Sequence, residues 1–259
     1  MRLITGVILA LMLVASADAK IVTRTIEYNH GAVMLEGYLA YDDALKGPLP
    51  GVMIVHQWKG LGEYEKMRAE MLAEMGYVAF AVDMYGKGIR PQTSEEAGKQ
   101  ASIYRGDRDL MRARVTAGLS ELQRQPNVDK KRIAAIGYCF GGGVVLELAR
   151  SGADIAGVVS FHGNLDTPDP NDAKNIKAKV LVCHGADDPY TSKDQVINFW
   201  NEMAAADVDW QLIAYGGAVH SFTDKFAGTD KSAGAAYNER ADRRSWQDMQ
   251  QFFAEILGK

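Results

Sequence analysis

Short runs of continuous apolar residues alternate along this chain with segments of helical periodicity, and that alternation admits few architectures. The runs lie at residues 51–56, 77–82, 132–136, 155–161, 180–184 and 210–215. A run that is apolar at nearly every position, not at every second one, belongs to a strand buried on both faces. Between the runs, residues 63–75 place Tyr64, Met67, Met71, Leu72 and Met75 on one side of a helix that Gly76 ends. Residues 107–125 read as a long helix stopped by Pro126, residues 191–206 as a helix capped by Ser192 or Thr191, and residues 235–257 as a long amphipathic helix. Residues 84–106 are polar and contain glycine, the pattern of loop mixed with short helix. Residues 164–179 and 216–234 read as loops. Helices joining successive buried strands imply an α/β fold: a mostly parallel, doubly wound sheet with helices on both faces. Ahead of it, residues 21–28 and 33–40 alternate polar with apolar around Asn29-His30-Gly31, which predicts a β-hairpin at the sheet edge.

The 259 residues, 47% hydrophobic and 24% charged, suit one large domain, with no internal repeat or linker to divide it. Residues 1–19 stand apart. Met1-Arg2 gives a positive start, residues 3–14 are almost wholly apolar, and Ala15-Ser16-Ala17 and Ala17-Asp18-Ala19 both fit a small-x-small cleavage pattern. This is the pattern of a signal peptide, too short in its apolar part for the roughly 20 residues of a membrane span. The expectation is a leader at 1–19, a folded domain at 20–259, and a periplasmic or secreted product without a membrane span. Cutting behind Ala17 removes Arg2 and no acid, so 28 basic residues face 33 acidic ones. A mildly acidic chain without a Lys/Arg block is a poor partner for nucleic acid or anionic membrane.

Gly137-Tyr138-Cys139-Phe140-Gly141-Gly142-Gly143 follows the apolar run Ile133 to Ile136 and precedes a helical stretch at 144–150. This is a G-x-C-x-G nucleophile elbow. Its glycines permit a sharp strand-to-helix turn that lifts Cys139 clear of the sheet, over helix amides that favour a thiolate. The other cysteine, Cys183, lies inside Val180-Leu181-Val182-Cys183-His184 and reads as a buried strand residue. Another strand separates the two, so a disulfide between them is not expected. A free thiol in an exported protein is itself a hint of use.

A nucleophile needs a base, and the base an orienting acid. Two later strand ends supply them: His184-Gly185-Ala186-Asp187-Asp188-Pro189 and Gly216-Gly217-Ala218-Val219-His220-Ser221-Phe222. Nucleophile, acid, base is the chain order of α/β-hydrolases. In a parallel sheet these sites share the carboxyl ends of the strands, where ligands bind. His220 would take the proton of Cys139, and Asp188 would hold its imidazole in one tautomer. In the His-Gly-x-x-Asp pattern the acid stands four residues after the His, which selects Asp188 and leaves Asp187 as a turn residue. After the first buried strand comes His56-Gln57-Trp58-Lys59-Gly60. In such folds this loop supplies one oxyanion-hole N–H, here Trp58, and the residue after the nucleophile, Phe140, supplies the other.

On Gly-Tyr-Cys-Phe-Gly-Gly, His-Gly-Ala-Asp-Asp-Pro, Gly-Ala-Val-His-Ser-Phe and Val-Ala-Phe-Ala-Val-Asp-Met-Tyr-Gly, the chain resembles the dienelactone hydrolase family from about Ile26 to its C-terminus. The resemblance implies an α/β-hydrolase fold and a cofactor-independent Cys-His-Asp triad, Cys139, His220 and Asp188. Such a triad cleaves small esters or lactones through an acyl-thiol intermediate, in a monomer or weak dimer. It also implies a substrate-binding role for Gln57, Tyr85, Lys87 and Phe222. Two positions depart from the family's pattern. Gln57 stands where the family has a Glu that aids the Cys, and Asp224, beside Lys225, stands where the second carboxylate-gripping basic residue falls. The first basic position corresponds to Lys87. Lys59, Arg90 and Arg105 read chiefly as a solvated face, and Trp58, Tyr104 and His162 either line an apolar pocket or pack in the core. The five histidines lack metal-ligand spacing. Two rival readings remain: a catalytically silent binding protein, favoured by Gln57, and an esterase or peptidase relative with an unrelated substrate.

Overall fold

The computed structural model describes residues 20–258, so the leader expected at 1–19 lies outside the described residues. The chain folds as β1 (Ile21–His30), β2 (Val33–Asp42), β3 (Leu49–Val55), α1 (Glu63–Glu74), β4 (Val78–Val82), α2 (Ser94–Gly106) and α3 (Arg108–Arg124). It continues as β5 (Val128–Tyr138), α4 (Phe140–Arg150), β6 (Gly157–Phe161), β7 (Lys179–Gly185), α5 (Lys193–Ala205), β8 (Trp210–Tyr215) and α6 (Glu239–Leu257). The strands form one eight-stranded sheet in the order β1-β2-β4-β3-β5-β6-β7-β8. The hairpin β1–β2 and the β2–β4 pair are antiparallel, and the remaining pairs are parallel.

Strand periodicity divides the core in two. Val52, Ile54, Ile136 and Leu181 face α1 and α6, where they meet Leu72, Met249 and Phe253. Met53, Val55, Ala135 and Val182 face the opposite way, against Tyr104, Val115, Val144 and Phe199 of α2 to α5. No helix among the described residues is long and apolar enough to cross a membrane.

Two boundaries differ from the sequence reading for identifiable reasons. The segment before α3 holds a full helix, α2, because Thr93 and Glu96 form a capping box: the Thr93 side chain accepts from the Glu96 N–H, and Glu96 reaches back to the cap backbone. The last helix starts at Glu239, not at 235. Asn238 caps it through Ala241 N, and the preceding residues run extended beside the loop that carries His220. The Ala236 N–H donates to the His220 carbonyl at 3.0 Å, and the His220 N–H to the Gly234 carbonyl at 3.1 Å.

After β3 the chain turns to β4 on one side, then crosses to β5 on the other, so the strand order reverses between β3 and β5. A doubly wound sheet opens its ligand crevice at such a point. The α4 N-terminus is driven into it. A Cβ on Gly137 would lie 2.0 Å from the Gly141 carbonyl oxygen, and one on Gly141 would lie 2.2 Å from that of Val55. Gly141→Ala is therefore expected to abolish folding, at a cost above about 4 kcal/mol, because only backbone could yield. Gly98→Ala in α2, where a Cβ would meet nothing within 4 Å, should gain up to about 1 kcal/mol. Chemical denaturation of both variants checks the pair, and a Gly141→Ala protein as stable as the parent would contradict the packing argument.

Candidate active site

Cys139 ends β5 and starts α4 with φ 54° and ψ −115°, a left-handed conformation that costs about 1–3 kcal/mol. Its N–H is shared between the Phe161 carbonyl at 3.0 Å and the His162 Nδ1 at 3.1 Å. α4 is buried from end to end, so its N-terminal amides act on Cys139 with little solvent screening.

The loop after β8 brings His220 to Cys139. His220 is buried, its Nδ1 lies 2.7 Å from Asp188 Oδ2, and its imidazole is near enough for its charge to act on the Cys139 sulfur. The other Asp188 oxygen accepts the Tyr190 N–H at 2.8 Å. Asp187 points outward and is exposed, its N–H spent on the Ala218 carbonyl. The structure thus brings together Cys139, His220 and Asp188, and leaves Asp187 in the turn.

The two cysteines are in opposite electrostatic states. Burial alone would raise the Cys139 pKa, but it is outweighed by the charge and hydrogen bond of His220, the Phe140 N–H and Arg105, so the thiol pKa is lowered. Burial would likewise lower His220, yet the Cys139 thiolate and the Asp188 carboxylate raise it to about 10. Each group holds the other charged. Cys183 has no cation beside it, and burial pushes its thiol up to about 12.

The loop after β3 is fastened at several points. His56 is fully buried; its Nδ1–H donates to the Gln57 carbonyl at 2.5 Å and its Nε2 accepts the Met84 N–H at 3.1 Å. Burial lowers its pKa to about 4, so it stays neutral. The buried Glu65 carboxylate accepts the Gln57 N–H at 3.1 Å and the Gly62 N–H at 2.8 Å. The Tyr85 hydroxyl donates to the Trp58 carbonyl at 2.9 Å. The Trp58 amide bonds no group among the described residues, which leaves it free to donate to a ligand. Phe140 stacks among His56, Tyr85 and Tyr104.

The residues expected to hold substrate fare differently. Gln57 turns its amide to Asp224 Oδ2 at 2.8 Å, so the two positions that depart from the family pattern bond each other. Tyr85 is 2% exposed and clamps the Trp58 loop, and Phe222 is fully buried against His162 and Tyr215. Neither presents surface to a ligand. Lys87 donates to Glu27 on β1 and is tied by its N–H to the Met34 carbonyl, which places its charge on the hairpin. Besides His220, the cation that acts on Cys139 is Arg105, over the Phe140 ring at 5.9 Å and bonded to Asn164 Oδ1 at 2.9 Å. It is exposed, as a residue of the solvated face, yet its charge still lowers the thiol. Sequence reading missed Tyr190. Its ring lies edge-on to His220 at 5.2 Å, and its hydroxyl is fixed on the Ala233 carbonyl. Its place two residues after Asp188 was the available signal.

Residues 35–257 match the model of the dienelactone hydrolase family. A dienelactone hydrolase-like promiscuous phosphotriesterase from metagenomic libraries superposes with a TM-score of 0.88 at 40% identity, over 91% of this chain and 98% of that one. A Bradyrhizobium protein named "Probable 2-oxo-3-(5-oxofuran-2-ylidene)propanoate lactonase" is 27% identical over 82% of this chain and 87% of its own length. An uncharacterized Caenorhabditis elegans protein is 36% identical over 57% of this chain and 94% of its own. With the elbow, the sheet order and this match agreeing over most of its length, the chain belongs to the dienelactone hydrolase family.

Proposed function

We propose that this protein is an exported hydrolase of small carboxylic esters or lactones, working through an acyl-thiol intermediate on Cys139. The observation that carries the reading is the buried His220 Nδ1–Asp188 Oδ2 contact at 2.7 Å beside Cys139 at the head of α4; the electrostatics agree, lowering that thiol while burial raises Cys183. The leader pattern at residues 1–19 supports export, which N-terminal sequencing of the mature protein tests: a start at Met1 would contradict it.

The chemistry follows from the geometry. The Cys139 thiolate attacks the carbonyl carbon, and the oxyanion draws on the N–H groups of Trp58 and Phe140. The acyl C–O bond breaks, and the His220 imidazolium gives its proton to the departing alkoxide, which in a lactone stays tethered to the acyl chain. Water then attacks the thioester while His220 takes its proton. Carboxylic acid leaves and the thiolate–imidazolium pair is restored. Asp188 keeps the imidazole in one tautomer throughout. The Arg105 charge favours an anion at Cys139, whether the thiolate or an acidic group on the substrate. A second reading adds neutral phosphotriesters, favoured by the 40% identity to a promiscuous phosphotriesterase. Turnover of an aryl dialkyl phosphate measures it.

Cys139→Ala and His220→Ala should each lower kcat/KM for a short activated ester on the order of 10⁴-fold while the protein stays folded. Unchanged turnover in Cys139→Ala would sink the reading.

With an alkyl ester, whose poor leaving group needs the imidazolium proton, kcat/KM against pH should form a plateau. Its acid limb marks protonation of the thiolate, below the ordinary thiol range, and its alkaline limb marks loss of the His220 proton near 10. Asp188→Asn removes a charge that holds His220 protonated. The alkaline limb should move down towards 6.5, the acid limb up, and the plateau should fall on the order of 10²-fold or more. An alkaline limb that stays near 10 in Asp188→Asn would show that the carboxylate does not hold the proton.

A further inference from the structure

The mechanism leaves one buried histidine unused. His162 follows β6 with φ 40°, is wholly buried, and meets the His220 ring edge-on at 5.2 Å. We infer that His162 is a positioning residue for Cys139: a neutral imidazole, locked in one tautomer by a buried hydrogen-bonded chain, that holds the backbone of the elbow. The inference rests on Cys139 being the nucleophile.

The polarity of the chain can be assigned from its ends. Cys139 N–H is a donor, so His162 Nδ1, 3.1 Å away, must carry a lone pair, and the ring proton sits on Nε2. Nε2–H then donates to Thr223 Oγ1 at 2.8 Å. Thr223 Oγ1 also lies 2.7 Å from the Tyr64 hydroxyl. Arg68 Nε donates into that hydroxyl at 3.2 Å. Arg68 donates further to the Thr223 carbonyl at 2.9 Å and to Asp242 Oδ1 at 2.6 Å. The Thr223–Tyr64 bond can run in either sense, since each hydroxyl already accepts from another donor, and the path ties β6, α1, α6 and the His220 loop to the elbow. A protonated His162 would turn a donor on Cys139 N–H and set a second cation against His220. Burial, with His220, Arg68 and His184 nearby, holds its pKa well below the ordinary value, which agrees with the geometric assignment.

Cys139 sits in a left-handed conformation that the surroundings must enforce. Its N–H has two acceptors, the Phe161 carbonyl and this imidazole, both at the end of β6, and the imidazole is anchored in turn through Thr223 to α1. A small rotation of the Cys139 backbone would swing both the sulfur and the following Phe140 N–H.

Three variants test the inference against the parent. His162→Gly tolerates the positive φ and removes the acceptor. His162→Asn tolerates it too and places its side-chain oxygen where Nδ1 stood. Thr223→Val keeps its shape but strands the Nε2 proton, freeing the tautomer. Turnover is measured per reactive thiol, counted by alkylation, with melting recorded for each protein. Misplacement of a reacting group by about 1 Å costs on the order of 10²-fold in rate, so kcat should fall ~10- to 100-fold in His162→Gly and Thr223→Val, with KM changed by less than about twofold. His162→Asn should recover most of the loss. Retention of kcat in Thr223→Val, or a His162→Asn protein no better than His162→Gly, overturns the inference even if both variants melt earlier. Should His162→Gly not fold, Thr223→Val decides alone. An inactive parent, or an active Cys139→Ala, would instead count against the proposed function.

Discussion

The site depends on one close approach: the carbonyl of Val55, at the end of β3, almost touches Gly141 in the first turn of α4. Because no side chain intervenes there, α4 can begin directly under the reversal of strand order, and its buried amides open at the head of the crevice. Every other element of the site is placed relative to that contact. The loop after β3 is pulled over it by His56 and Glu65, and β7 and β8 extend the same edge to carry Asp188 and His220. A left-handed Cys139 is the cost of so short a junction, and the surrounding hydrogen bonds hold it in place.

Burial then gives opposite results at two cysteines in one sheet. Desolvation acts on both in the same sense, raising the thiol pKa. At Cys139 the cation that reverses it is itself made by burial, since His220 is kept charged by Asp188 in a medium where their attraction is little screened. At Cys183 the Tyr215 hydroxyl offsets burial too little, and the Asp248 carboxylate beyond it disfavours a negative sulfur further. The difference lies in two loops, not in the strands.

Sequence periodicity was enough for the buried strands, the hairpin and the helices other than α2, because each carries its own local pattern. The elbow, Asp188 and His220 were legible for a related reason: each is read from a few adjacent residues at a strand end. The charges were not. Lys87 meets Glu27 60 residues away, because the hairpin lies beside its loop, and Arg105 reaches Asn164 across 59 residues. Neither pairing leaves a local trace. Tyr85 and Phe222 adjoin recognisable motifs, yet adjacency in sequence did not show that their rings turn inward. The His162–Thr223 bond likewise spans 61 residues, and only the position of His162 at a strand end could have drawn attention to it.

Gln57 and Asp224 are better understood as one change than as two. A Glu at 57, in this conformation, would set a second carboxylate against Asp224, with the buried Glu65 of α1 already bonded to that loop and its pKa already raised. A neutral amide removes that repulsion and supplies the donor that Asp224 Oδ2 needs, while Asp224 Oδ1 caps the turn at Phe226. The pair therefore closes the loop with one carboxylate where a Glu at 57 would give two. What depresses the Cys139 thiol is then His220, the Phe140 N–H and Arg105, none of which depends on an acid at 57. Gln57 thus argues less for a silent site than for one in which His220, with the Phe140 N–H and Arg105, governs the thiolate without an acid at 57.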